Sequence, residues 1–115
     1  MKVNQLAELL DAEVLTPAEN PDAEVACGYC CDLLSWVLAH GRKGMAWTTV
    51  QTHVNVVAIA VLMEMACVIL AEGNRPEASS LAKAKEEGMA VLVTDKTAYE
   101  IGGLLYGAGI APSGR

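Results

Sequence analysis

Hydroxyl, amide and imidazole groups crowd residues 48–55, where Thr48, Thr49, Gln51, Thr52, His53 and Asn55 interrupt otherwise apolar sequence. Uncharged donors and acceptors of this kind hold ligands rather than break bonds, and beside a helix N-terminus they suit phosphate or carboxylate. Two smaller clusters have the same character. Gly73-Asn74-Arg75 adds a guanidinium that can pair with an anionic group, and Thr94-Asp95 adds a hydroxyl and a carboxylate. The candidate ligand set is thus Thr48, Thr49, Gln51, Thr52, His53, Asn55, Gly73, Asn74, Arg75, Thr94 and Asp95. The same residues also have a plain structural use: Thr52 as a helix N-cap, Asn74 in a left-handed turn, and polar side chains at strand ends because loops collect them.

Cys27-x-x-Cys30 has the spacing of a metal or redox pair, with Cys31 adjacent, Cys67 remote, and His40 and His53 as conceivable further ligands. A tetrahedral site needs two more ligands brought close, and redox work needs a thiol of lowered pKa. Free cysteine otherwise packs as a small hydrophobe. Cys27 and Cys30 therefore stand as an alternative, with no metal and no cofactor assigned. The serines lack a nucleophile-elbow context, two histidines supply little acid–base capacity, and no catalytic residue is assigned.

The elements that must position these groups follow from periodicity. Residues 3–10 carry apolar positions at Val3, Leu6, Leu9 and Leu10, the spacing of an amphipathic helix. Residues 13–15 and 24–29 read as strands, and Asp32 as the N-cap of a helix through Leu38 that closes at His40-Gly41. A strand over 45–50 leads into the main polar cluster. Residues 54–65 read as a helix apolar on nearly every side, so that both faces need cover, one from the sheet and the other from a neighbouring helix or another copy of the chain, for which a symmetric dimer is the commonest solution. Apolar strands at 67–71 and 89–93 flank a helix that runs from Pro76 to Glu87, and a last helix carries Tyr99, Ile101, Leu104 and Leu105.

Strands alternating with helices predict an α/β layered sandwich with an open, mostly parallel sheet flanked by helices. The three polar clusters each follow a strand, so they are expected along one rim, where open α/β sheets place their ligands. One domain over residues 1–115 is expected, with an ordered core over 1–110 and a frayed tail over 111–115.

A formal charge of -6, from 14 acidic and 8 basic residues, repels a phosphate backbone and argues against nucleic acid. Hydrophobic residues make up 53% and aromatics 4%, without a phenylalanine, so the core is aliphatic. The first residues lack the pattern of a secretory signal, and a cytoplasmic protein is expected. Residues 53–71 approach the length of a membrane span, but Glu64 interrupts them and no basic anchor flanks them. A break near Met65-Ala66 into helix and strand is the expectation, and no membrane partner.

Gly28-Tyr29 with Asp32-Leu33-Leu34, Gln51-Thr52-His53 with Asn55, the turn Gly73-Asn74-Arg75-Pro76, and Glu87-Gly88 before the last strand together resemble the DRTGG domain family, from about Val3 to Ile110. The resemblance implies an α/β domain similar to the N-terminal domain of HPr kinase/phosphorylase, also found fused to CBS pairs and phosphotransacetylases as a regulatory or assembly module. The string Asp-Arg-Thr-Gly-Gly itself is absent, and Cys27, Cys30 and Cys31 stand where relatives carry small residues. No G-x-x-x-x-G-K-[ST] loop occurs, so kinase activity is not implied. The expected function is a non-catalytic regulatory or interaction domain, self-associating as a homodimer through helix 54–65 or its neighbours and binding a small anionic ligand such as a nucleotide. Alternatives are an accessory subunit docking on a metabolic or redox enzyme, and a cysteine-based metal or redox protein.

Overall fold

The computed structural model describes residues 1–113. Along the chain run α1 (Val3–Leu9), β1 (Glu13–Thr16), β2 (Cys27–Cys30), α2 (Leu34–His40), β3 (Met45–Thr49), α3 (Val54–Leu62), β4 (Cys67–Leu70), α4 (Ala78–Glu87), β5 (Ala90–Val93) and α5 (Ala98–Gly107). The strands form one sheet in the order β1-β5-β4-β3-β2. β2, β3, β4 and β5 are parallel in sequential order, and β1 closes the far edge antiparallel to β5. The expected mostly parallel α/β sandwich is the observed fold.

Strand alternation divides the core in two, because successive side chains leave opposite faces. Ala46, Cys67, Ile69, Ala90 and Leu92 face α1 and α5, meeting Leu6, Leu10, Ile101 and Leu105. Met45, Trp47, Val68, Leu70, Val91 and Val93 face α2, α3 and α4, meeting Val37, Val56, Val57, Ala60 and Ala84. The three crossover helices thus share one face, and the first and last helices cover the other.

Residues 53–71 separate into helix and strand, and among the described residues no helix is long and apolar enough to cross a membrane. The helix expected over 54–65 stops earlier, at Leu62. Glu64 turns left-handed (φ 55°) and its carbonyl accepts the Gly44 amide at 2.9 Å, which redirects the chain into β4. Only Val56, Val57 and Ala60 of α3 are buried, while Leu62 is 70% exposed, so the outer face expected to be covered is open in this chain.

Three further readings are corrected. The strand expected over 13–15 runs on to Thr16, whose buried hydroxyl donates to the Met89 carbonyl (2.6 Å) and accepts the Val91 amide (2.9 Å), bridging the register shift. The strand expected from Glu24 begins at Cys27, because residues 24–26 bond elsewhere, Val25 to Met1 and Ala26 to Gly44. The tail expected to fray from 111 is held at its start, since the Gly28 amide donates to the Ala111 carbonyl (2.9 Å) and Pro112 bridges beside Gly28 on the edge strand. Residues 114 and 115 of that tail lie outside the described residues.

Candidate functional site

Parallel order puts the carboxyl ends of β2, β3, β4 and β5 on one rim, and the three polar clusters meet there. They are bonded to one another. The Ala71 amide donates to the Thr49 carbonyl (3.1 Å), Gly73 to Thr94 (2.9 Å) and Glu72 to Lys96 (2.9 Å), while Glu77 donates to Thr52 (3.2 Å).

A parallel sheet opens a crevice where neighbouring strands send their chains to opposite faces. Here that happens between β4, which feeds α4, and β5, which feeds α5. The Gly73–Thr94 and Glu72–Lys96 bonds span that position, so the loops close it. Beside it, the rim cleft among Gln51, Thr52, His53, Pro76 and Ser80 measures about 10 Å³, room for roughly one water.

Several rim groups are committed to the fold. Thr49 is buried and donates to Asp32 Oδ1 at 2.8 Å, and Thr94 is buried and donates to the Leu10 carbonyl at 2.9 Å. The α3 N-cap is His53 rather than Thr52: Nδ1 accepts the Asn55 amide at 3.1 Å, and Thr52 instead offers its carbonyl to Ser80 Oγ at 2.7 Å. Asn74 donates to the Ala71 carbonyl (2.8 Å), and the left-handed turn belongs to Glu72 and Gly73. Arg75 does not face the rim unpaired; its guanidinium forks onto Glu13 of β1 at 3.1 and 3.4 Å. Gln51, His53, Asn55, Arg75 and Asp95 are the exposed members of the set, and of these Arg75 is ion-paired with Glu13.

The residue that organises this rim is Asp32, read from sequence as a helix cap. α2 begins later, after Leu33 and without a side-chain cap, and the Asp32 carboxylate turns to β3, accepting Thr49 Oγ1 and the Val50 amide (2.9 Å). No local pattern marks that role, because its partners come from another strand. α5 starts on a Thr97/Glu100 capping box, a Thr-x-x-Glu signal that the sequence reading missed.

The cysteines do not converge. Cys27 and Cys30 sit at opposite-facing positions of one strand, Cys27 in the α2/α3 core and Cys30 beside the Ala98 carbonyl at the start of α5. All four are free thiols, and among the described residues no cluster of His, Cys, Asp and Glu could hold a metal. Burial pushes the Cys27 thiol up, opposed by the Arg42 charge, and pushes Cys67 up to about 12. The Cys30 thiol is also raised by burial, opposed by the nearby Thr48 hydroxyl and reinforced by Asp32 and Cys31. Raised thiols make poor nucleophiles and poor metal ligands. Thr48 itself is buried, and among the described residues its hydroxyl meets no partner at good hydrogen-bonding geometry, the Cys30 thiol being its nearby polar neighbour.

No family model matches the sequence, and no curated protein matches it. Among solved structures, the chain is similar to the CBS and DRTGG domains of the regulatory region of a Clostridium perfringens pyrophosphatase, complexed with its activator, diadenosine tetraphosphate. The match has a TM-score of 0.70 at 14% identity and covers 90% of this chain and 45% of that one. It shows that the α/β fold of this chain is shared with that regulatory region, of whose length the chain spans less than half.

Proposed function

We propose that this chain is a non-catalytic regulatory or interaction domain that self-associates through the outer faces of α2 and α3 and binds a small anionic ligand. The observation that carries the reading is a shallow apolar groove of about 310 Å³ between those helices, lined by Leu34, Ser35, Leu38, Asn55, Ala58, Ile59 and Leu62. Two copies of a chain with charge -6 repel on average. This groove contains no carboxylate, so it is a surface on which two copies can meet without opposing like charges, and desolvating Leu38 and Leu62 drives the contact.

The fold similarity supports the regulatory part, since the neighbouring protein is a regulatory region complexed with a nucleotide activator. The exposed rim groups Gln51, His53 and Asn55 supply uncharged hydrogen-bonding groups suited to such a ligand.

Sedimentation equilibrium tests the self-association: wild-type protein is expected at twice its 12.1 kDa mass, and Leu62→Glu at the monomer mass with an unchanged far-UV spectrum. A wild-type monomer at high micromolar concentration would overturn self-association and leave the groove to a different protein. A thermal-shift series with nucleotides tests the ligand, because a hundredfold excess over Kd stabilises by about 2.7 kcal/mol.

A further inference from the structure

We propose a second ligand pocket, away from the rim, that takes a single-ring aromatic oxyanion, with Arg42 holding the carboxylate or phosphate and the Trp36–His40 pair walling the ring. The proposal rests on the ligand-binding reading above and names a place and a chemical class for it. At the β2 edge, on the α2 side of the sheet, Tyr29, Trp36, His40, Arg42 and Ser113 enclose a cavity of about 130 Å³. That is close to the size of an engineered cavity known to hold one benzene ring, and too small for a whole nucleotide.

Its lining differs from the rest of this acidic surface. Among the described residues it brings a guanidinium, an imidazole, an indole, a phenol and a hydroxyl together without a carboxylate. Among the described residues no carboxylate lies within ion-pair distance of Arg42, Lys85 or Lys96, whereas Arg75 is held by Glu13, Lys2 by Asp22, Lys43 by Glu64 and Lys83 by Glu87, and of the three free cations Arg42 is the one that lines this cavity. A guanidinium matches two oxygens of a carboxylate or phosphate with parallel donors.

The aromatic wall is built in advance. His40 stacks on Trp36 with ring centroids 4.2 Å apart, and its Nδ1 meets the Trp36 carbonyl at 2.9 Å. A carbonyl can only accept, so Nδ1 carries the proton and Nε2 is the ring nitrogen left for a ligand. Tyr29 comes from β2 and Ser113 from the segment that pairs beside Gly28, so strand, helix and chain end define the pocket together.

The test uses the full chain and three probes: phenyl phosphate, inorganic phosphate and phenol. Binding is followed by fluorescence, since Trp36 is half exposed in the pocket and Trp47, the other tryptophan, is fully buried. Phenyl phosphate is expected to saturate the signal at least tenfold more tightly than phosphate or phenol. Arg42→Ala should weaken it at least tenfold, while the neighbouring Lys43→Ala leaves it unchanged. No saturable binding of phenyl phosphate, or equal affinity in Arg42→Ala, overturns the proposal. Equal affinity for phosphate and phenyl phosphate overturns the ring contact. Phenyl phosphate binding lost in Thr52→Ala/Arg75→Ala but kept in Arg42→Ala overturns this pocket while preserving a ligand at the rim.

Discussion

Asp32 and Thr49, at the ends of neighbouring parallel strands, are joined by a 2.8 Å hydrogen bond, and the same Asp32 oxygen accepts the Val50 amide at 2.9 Å. One carboxylate oxygen thereby fixes where β3 leaves the sheet and how the polar loop enters α3. Asp32→Ala is expected to lower stability by about 1.5–3 kcal/mol, the range for hydrogen bonds to a charged group, with a smaller loss for Asp32→Asn. Urea unfolding measures both; an unchanged midpoint in Asp32→Ala would show that the rim holds without it.

Thr48 lies one residue earlier with a buried hydroxyl that is, among the described residues, without a partner at good hydrogen-bonding geometry. Removing an orphaned polar atom while keeping its shape removes a desolvation penalty, so Thr48→Val is expected to be neutral or stabilising. A loss above about 1 kcal/mol in the same urea assay would mean the hydroxyl has a partner, and Cys30 is the neighbour to test.

Two glycines should respond oppositely to alanine. Gly103 lies within α5 with nothing inside 4 Å of an added Cβ, so Gly103→Ala should stabilise by about 0.5–1 kcal/mol. Gly44 has φ +78° and a Cβ there would stand 2.9 Å from Ala26 Cβ, so Gly44→Ala should cost about 1–3 kcal/mol. Melting curves of the pair decide this, and equal shifts would contradict the packing described.

Acid should weaken the start of α5. Backbone and side-chain hydrogen bonds from Thr97 hold the Glu100 carboxyl below its ordinary value, aided by Lys96. A depressed carboxylate binds fewer protons folded than unfolded, so its contribution is complete above the unfolded pKa and fades as pH falls through the folded one. Glu100→Gln should therefore melt below wild type at pH 7 and together with it near pH 3. A gap that is constant with pH would remove the charge from the explanation.

The thiols provide an alkaline counterpart. Cys67 titrates near 12 in the fold, raised by burial, and near the ordinary value of 9.0 once unfolded. The unfolded state then releases its proton first, so the Cys67 contribution is complete below pH 9 and is lost progressively from there to pH 12. At neutral pH, iodoacetamide should label exposed Cys30 and half-buried Cys31 before buried Cys27 and Cys67. Peptide mapping by mass spectrometry gives the order, and early labelling of Cys67 would mean that β4 opens readily.

Much of the architecture was legible in order along the chain. The runs at Cys67–Leu70 and Ala90–Val93 are continuously apolar because both faces are covered, and the helices between them supply the crossovers that parallel strands need. The end of α3 was less so, since Glu64 adopts a left-handed turn for which a glycine would be the local signal. The outer face of α3 is open within the single chain, and a nine-residue apolar segment looks alike whether its second cover comes from its own chain or from another copy.

Local periodicity by itself determined the α/β class, the split of residues 53–71 and the gathering of polar loops beyond the strand ends, because helix and strand spacing are properties of neighbouring residues. Only the tertiary structure decided what those polar groups do. Thr49 finds Asp32 across 17 residues, Arg75 finds Glu13 across 62 and Thr94 finds the Leu10 carbonyl across 84. Hydrogen-bonding capacity is written in a side chain, but its partner is chosen by the packing of distant segments, and that choice closed the rim and, among the described residues, set Arg42 beside Trp36 without a carboxylate.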